Sequence, residues 1–323
     1  MAAWNVLWVA FASLLLSVVL STAQANPAGN VNFDPDFFQS AGWSLETFPG
    51  VGDDVTLRVL KRTPLAPPVR YLVVVVPGSG CTGWLPVAKR YFAGLLHAEL
   101  LVLHKPRVDV SSGLNAVCSA EFVQNDTLSG WRDQARLALR TYFANLPDSK
   151  LPVLLVGISE GAEVLPDLAP EVPHLAGVVM IAAPGLDPLE TGQLQARRLG
   201  QESAWLALAR MQGSDASDNT IYQGRTLRYW RDFWGWELAQ PLLDAPWPLL
   251  RIWGGEDTQV PELAYQRFSL KAQSRSASIC QIRLPDADHG LQADHYDGLQ
   301  LLWARLEAWG RSPASDLCEM VLP

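Results

Sequence analysis

Short runs of apolar residues alternate with amphipathic stretches along most of the chain. Tyr71–Gly80 reads YLVVVVPGSG, four consecutive valines ahead of a Pro-Gly break. A strand that is apolar at every position is buried on both faces, as in a parallel sheet covered by helices. Glu99–Val108 (ELLVLHKPRV), Leu151–Ser159 (LPVLLVGIS), Leu175–Gly185 (LAGVVMIAAPG), Pro248–Asp257 and Ser278–Asp286 repeat that pattern. Asp54–Arg62 (DVTLRVLKR) alternates apolar and polar residues instead, as an outer strand does. In Leu128–Leu146 the residues Trp131, Ala135, Ala138, Leu139, Tyr142 and Leu146 recur on one face of a helix, and Tyr296–Gly310 closes the chain as a second amphipathic helix. Strands alternating with helices predict an α/β fold: a mostly parallel central sheet, flanked by helices, with right-handed crossovers.

One interval interrupts the rhythm. From Leu186 to Trp247 no strand-like run occurs, and two helical stretches flank QGSDASDN. The second carries Tyr222, Tyr229, Trp230, Phe233, Trp234 and Trp236. That exceeds what a connection needs and predicts a helical excursion over one end of the sheet. Its rings either pack it onto its own domain or face an apolar ligand.

The N-terminus changes the picture. Trp4–Leu20 carries no charge, and STAQA follows, in which Ala23 and Ala25 fit the small-x-small rule for signal cleavage before Asn26. No Lys or Arg precedes the apolar run, whose 17 residues reach the low edge of spanning length. An uncleaved anchor, or a buried soluble helix, is therefore the alternative to an export signal. The layout expected is a signal over 1–25, a flexible lead-in over 26–50, an α/β core over 51–185 and 248–323, and a helical insertion over 186–247.

Composition adds exclusions. About half of the 323 residues are hydrophobic and the formal net charge is −8, with no long basic run. Binding to a phosphate backbone needs clustered Lys and Arg, so nucleic acid is excluded as a partner. Export would make Cys81, Cys118, Cys280 and Cys318 candidates for two disulfides, and four cysteines allow three pairings. Cys81 and Cys118 both follow strands expected on one edge of the sheet, while Cys280 and Cys318 share the C-terminal segment. Those placements favour Cys81–Cys118 and Cys280–Cys318 over four free thiols.

The chemistry begins at GISEG, Gly157–Gly161. A serine between two glycines, after an aliphatic strand and before a helix-compatible AEVLPDL, fits a sharp strand-to-helix turn that lifts the hydroxyl clear of the sheet. The bland alternative is an ordinary turn serine. A nucleophile needs a base, and LPDADHGL puts His289 in a loop after the last strand. The base needs an acid, and Asp257 ends RIWGGED after the preceding strand, with Glu256 beside it as a substitute. An oxyanion needs backbone donors, and the PGSG loop after the valine strand offers the N–H near Ser79, with the N–H of Glu160 as the second. Each signal alone is weak. Their order, each at the carboxyl end of a strand, is what makes them informative.

These pieces, PGSG (77–80), GISEG (157–161), GGED (254–257) and DHG (288–290), resemble the α/β-hydrolase fold family over Val51–Gly310. The resemblance implies a serine hydrolase in which Ser159 attacks a carbonyl, an acyl-enzyme forms, and water releases the acid; it implies a cap for Leu186–Trp247. Two positions depart from the family pattern. The oxyanion loop begins Pro-Gly where many members have His-Gly, and the residue after the nucleophile is Glu160, whose carboxylate is costly if buried unpaired. The expected activity is that of an exported, periplasmic or secreted carboxylesterase acting on a small ester or acyl compound with an apolar group. It would use no cofactor, and membrane contact arises only if the leader stays uncleaved. Thioesterase or peptidase action on the same scaffold, or a binding protein that keeps the fold without catalysis, are the alternatives.

Other residues carry less. The Asp and His of DADHGLQADHYD match no ligand spacing for a metal. His295 is expected at a helix start on the surface, and His104 either lines a pocket or is structural. Asn125-Asp126-Thr127 is a glycosylation sequon for a eukaryotic route.

Overall fold

The computed structural model describes residues 42–52, 55–113, 116–146, 149–313 and 316–319, so the leader expected over 1–25 lies outside the described residues. Among the described residues no helix is long and apolar enough to cross a membrane. Eight strands form one sheet: β1 (Trp43–Pro49), β2 (Thr56–Arg62), β3 (Tyr71–Val76), β4 (Ala98–Leu103), β5 (Val153–Ile158), β6 (Leu175–Ile181), β9 (Leu249–Gly254) and β10 (Ile279–Leu284). Two-residue ribbons, β7/β8 (Ile221–Tyr222 and Arg225–Thr226) and β11/β12 (Gln292–Ala293 and Tyr296–Asp297), lie outside it. The order is β1-β2-β4-β3-β5-β6-β9-β10; β1/β2 and β2/β4 are antiparallel and every later pair is parallel.

The helices are α1 (Ala88–Tyr91), α2 (Ala120–Asn125), α3 (Leu128–Ala144), α4 (Leu165–Leu168), α5 (Pro188–Arg198), α6 (Glu202–Gln212), α7 (Leu227–Trp234), α8 (Ala239–Asp244), α9 (Glu262–Lys271) and α10 (Gly298–Trp309). The two-sided burial expected of the valine strand is observed. Leu72, Val74 and Val76 join one core with the Trp131–Tyr142 stripe of α3, while Tyr71, Val73 and Val75 join the opposite core with Leu302, Trp303, Leu306 and Trp309 of α10. Burying one such side chain stabilises by roughly 1.5–3 kcal/mol, so the sheet is held from both faces.

Several elements differ from expectation. β1 lies within the stretch expected to be a lead-in: it pairs with β2 from Trp43↔Arg62 to Pro49↔Thr56 and takes the sheet edge. Its only apolar anchors at full burial are Trp43 and Phe48, too few for the alternation to stand out. β4 ends at Leu103 rather than running to Val108, because His104 and Lys105 turn inward and Pro106 has no N–H for a ladder. The segment after Ser159 is not one helix but a 3₁₀ stretch (Ser159–Val164), α4, and another 3₁₀ turn, with Pro166 and Pro170 at the starts of the later pieces. The 186–247 interval holds four helices, α5–α8, and the β7/β8 ribbon, where two helical stretches were expected. Its base is tied by Asp187, whose Oδ1 accepts the N–H groups of Leu238 at 2.7 Å and Ala239 at 2.8 Å.

Both disulfides pair as the topology suggested: Cys81–Cys118 and Cys280–Cys318. The excess of arginine over lysine, for which the sequence offers no mechanism, has a structural use. Buried Arg62 and Arg251 and half-buried Arg275 donate to backbone carbonyls, Arg62 to Phe92 (2.8 Å), Arg251 to Pro184, and Arg275 to Leu242 (2.9 Å) and Ala277 (2.9 Å). A planar fork of N–H donors suits that role better than an ammonium does.

Candidate active site

Ser159 sits where β5 ends, with φ +50°, a left-handed backbone that a residue with a side chain rarely adopts. The turn is possible because its flanks have no side chains. A Cβ on Gly157 would stand 2.6 Å from Ala162 Cα, and one on Gly161 would run into the carbonyl oxygens of Val76 and Pro77. The serine is thus held up at the carboxyl ends of β3 and β5. Strain of this kind persists only where surrounding contacts over-determine it.

Asp257 and His289 arrive from the loops after β9 and β10, the second and third strands beyond β5 in the sheet. The β9 turn and the His289 loop are in backbone contact: Glu256 N–H donates to the Ala287 carbonyl at 2.9 Å, and a Cβ on Gly254 would collide with the Ala287 and Asp288 carbonyls. His289 Nδ1–H donates to Asp257 Oδ2 at 2.7 Å, and Ser159 Oγ lies 3.2 Å from His289 Nε2. Asp257 Oδ1 accepts the N–H groups of Gln259 (2.7 Å) and Val260 (3.0 Å), which fixes the carboxylate plane. Asp257 and His289 are both buried, whereas Glu256 is exposed and does not take the acid's place. The three residues singled out in the sequence therefore form one continuous chain of hydrogen bonds. Such a chain can draw the proton from Oγ onto Nε2 while the carboxylate holds the imidazole in the required tautomer.

The PGSG loop packs directly on the elbow, since a Cβ on Gly78 would meet the Ile158 carbonyl at 3.0 Å and Ser159 Cβ at 3.3 Å. Ser79 follows it, and Cys81 ties the far end of the loop to Cys118. The loop that carries Ser79 thus lies against Ser159, and Glu160 follows the serine in the chain.

Glu160, the departure that raised concern, is not unpaired. Its carboxylate takes Lys105 Nζ at Oε1, Tyr229 O–H at Oε2 (2.6 Å), and Arg225 Nη2 at 3.6 Å from Oε2. Lys105 and Arg225 also share Asp126, the former at 3.0 Å from Oδ1 and the latter on Oδ2. Burial alone would push the Glu160 carboxyl up, but Lys105 and then Arg225 outweigh it and bring its pKa down to about 2. Burial likewise opposes the charge on Lys105, yet Asp126 and Glu160 raise its pKa above the ordinary lysine value. No sequence spacing links Lys105, Asp126, Arg225 and Tyr229, and the sequence reading missed all four as site residues.

The excursion makes several contacts around this centre. Arg198 of α5 donates to the carbonyls of Asp257 (2.8 Å) and Thr258, Trp236 Nε1–H donates to the Glu163 carbonyl at 3.0 Å, and Asp232 accepts the Ser129 N–H at 2.7 Å. Most of its aromatic side chains serve packing: Trp205 stacks on Trp234 at 4.9 Å, Trp230 Nε1–H donates to the Tyr222 carbonyl at 2.8 Å, and Phe233 and Trp236 join the core of α3.

His104 is structural. It is buried, accepts the Trp84 N–H at Nε2 (3.1 Å) and faces the Arg58 carbonyl from Nδ1 (3.2 Å), and burial lowers its pKa to about 4. His295 lies exposed in the turn between β11 and β12 rather than at a helix start, because Asp297 caps α10 through the N–H groups of Leu299 and Gln300. Among the described residues no cluster of His, Cys, Asp and Glu could hold a metal ion. Asn125 is exposed at the end of α2 and donates to the Glu121 carbonyl at 2.8 Å.

A mostly parallel sheet with an antiparallel edge, a strained serine after β5, an acid after β9 and a histidine after β10 define the α/β-hydrolase fold, and the chain has that fold. The chain is similar to Est1E from Butyrivibrio proteoclasticus, at 15% identity and TM-score 0.55 over 84% of this chain and 98% of that one. It is similar also to alpha/beta hydrolase domain-containing protein 10 from mouse (17%, TM-score 0.52, 82% and 97%) and to the esterase domain of a Rhodothermus marinus protein (19%, TM-score 0.51, 83% and 98%). No family model matches the chain, and no curated protein sequence matches it.

Proposed function

We propose that the protein is a serine hydrolase that cleaves carboxylic esters through an acyl-enzyme. The observation that carries this reading is His289 bridging Ser159 Oγ at 3.2 Å and Asp257 Oδ2 at 2.7 Å. Ser159 Oγ attacks the ester carbonyl while His289 Nε2 takes the hydroxyl proton, and the carbonyl oxygen becomes an oxyanion held by the N–H groups of Ser79 and Glu160. Collapse breaks the bond to the alcohol, which leaves with the proton from Nε2. Water then attacks the acyl-serine, gives its proton to Nε2, and the second collapse releases the acid and returns the proton to Oγ.

Residues 186–247 act as the cap in this reading, supported by the bonds of Arg198, Trp236 and Tyr229 around the site. Tyr229 hydrogen-bonds Glu160, the residue after the nucleophile, and Trp230 lies edge-on to it at 5.2 Å; an aromatic cluster so near the serine supports an apolar group on the substrate. Export is supported by the two disulfides and the leader-like N-terminus.

A fluorophosphonate probe on the purified protein tests the mechanism, with mass mapping of the modified peptide. The expected label is on Ser159, and Ser159→Ala should fold and lose ester hydrolysis by roughly 10³- to 10⁶-fold. A folded wild-type protein that takes no label, or an alanine variant that keeps full activity, overturns it. Panels of esters, thioesters and peptides then separate the activities open to one acyl-transfer site.

A further inference from the structure

Two buried charges, Lys105 and Asp126, and two mostly buried ones, Glu160 and Arg225, close a ring beside the nucleophile: Lys105 and Arg225 each bridge the carboxylates of Glu160 and Asp126. The ring is neutral, with two cations and two carboxylates. Tyr229 adds a hydrogen bond to Glu160 at 2.6 Å, and the Arg225 guanidinium lies 4.2 Å from the centre of the Tyr229 ring. Two of the three groups that hold Glu160 come from the excursion, Arg225 from the β7/β8 ribbon and Tyr229 from α7; Lys105 comes from the turn after β4.

As a stabilising device such a ring is poor, because the desolvation of four charges offsets most of their mutual attraction. Its placement suggests another use. Ser159 has φ +50°, so the peptide linking it to Glu160 is held in a strained turn. That peptide carries the Glu160 N–H, and anchoring the Glu160 side chain from three directions fixes the orientation of its plane. The same pairing cancels the carboxylate's charge, which would otherwise repel an oxyanion formed next to it.

We propose that Lys105, Arg225 and Tyr229 are positioning residues that aim the Glu160 peptide N–H at the acyl oxygen, so that oxyanion stabilisation depends on the seated excursion. This rests on the serine-hydrolase reading above. It assigns the excursion a part in the chemical step, not merely in covering the substrate.

The test compares the full mature chain with its Arg225→Met, Arg225→Lys and Tyr229→Phe variants on p-nitrophenyl butyrate. The second-order rate of fluorophosphonate labelling at Ser159 and the inhibition constant of an alkyl trifluoromethyl ketone, whose serine adduct carries an oxyanion, are measured alongside. Loss of a single oxyanion donor costs about 10²- to 10³-fold in kcat. Arg225→Met should approach the lower figure, Tyr229→Phe should lose about 3- to 10-fold, and Arg225→Lys should recover part of the loss, since mis-aiming a donor costs less than removing it. KM should stay within about twofold, while the ketone's inhibition constant rises, and the labelling rate falls, by the same factor as kcat. Tyr229→Phe removes a single hydroxyl and keeps the proposal testable if Arg225→Met fails to fold.

Folded variants with unchanged kcat, or with raised KM and unchanged ketone binding, overturn the proposal: the residues would then be structural or would contact substrate. A wild-type protein that takes no label on Ser159 fails at the earlier step and overturns the hydrolase reading together with this one.

Discussion

Glu163 shows how one residue near the site records its surroundings. Its Oε2 is shielded from solvent and, among the described residues, has no hydrogen-bond partner. Burial first, then the nearby Glu160 and Asp187 carboxylates, push its carboxyl well above the usual carboxylate range. The folded protein therefore keeps this proton at a pH where the unfolded chain has released it. The associated stability is complete below the unfolded value of about 4.3 and is lost as pH rises toward the folded value, at about 1.4 kcal/mol per pH unit. Glu163→Gln, which cannot ionise, should remove that loss, so that the variant gains on the wild type between pH 5 and pH 8. Urea unfolding at the two pH values checks this, and identical pH dependence in the two proteins would contradict it. Neither the burial of Glu163 nor the partners of Glu160 could be read from neighbouring letters, since Lys105 and Arg225 lie far away in sequence.

At the scale of elements, β3, β5 and the turn after β5 form one unit. Gly161 lies against the Val76 and Pro77 carbonyls, so Gly161→Ala should force these strand ends apart. A loss of roughly 1–3 kcal/mol in stability is expected, together with loss of Ser159 labelling. Gly113, by contrast, has open space at its Cβ position and no left-handed backbone. Gly113→Ala should be neutral or gain up to about 1 kcal/mol. Thermal unfolding of the pair separates a glycine required by close approach from one that is not; equal effects would refute the steric account. The strand-type elements were legible because a parallel sheet buried on both faces demands unbroken aliphatic runs. β1 was not, because an edge strand with one covered face carries a weaker pattern.

For the whole molecule, the Cys81–Cys118 disulfide and the excursion tie distant parts of the chain to one centre. Cys81–Cys118 closes a separation of 37 residues and lies in a small apolar cluster with Val108 and Phe122, at the end of the PGSG loop. Removing it as the Cys81→Ser/Cys118→Ser pair should cost up to about 4 kcal/mol, the loop-closure entropy for that length. Labelling of Ser159 should slow before the protein unfolds, because the loop that flanks the serine loses its tether. Equal labelling of oxidised and reduced protein, with both folded, would show that the loop holds its place without the bond.

The alternation of aliphatic runs and amphipathic helices specified the sheet and its helical layers, and the order Ser159, Asp257, His289, each after a strand, specified which residues to compare. Local patterning suffices there, because strand burial and sharp turns each leave a mark within about ten residues of sequence. The hydrogen-bonded distances among those residues, the strand at the sheet edge, and the ring of Lys105, Asp126, Glu160 and Arg225 were established only by the folded chain. These hydrogen bonds and ion pairs join residues 21 to 130 apart, the edge strand carries too few apolar residues to stand out, and a charge gives no sign in the sequence of the partner that will neutralise it.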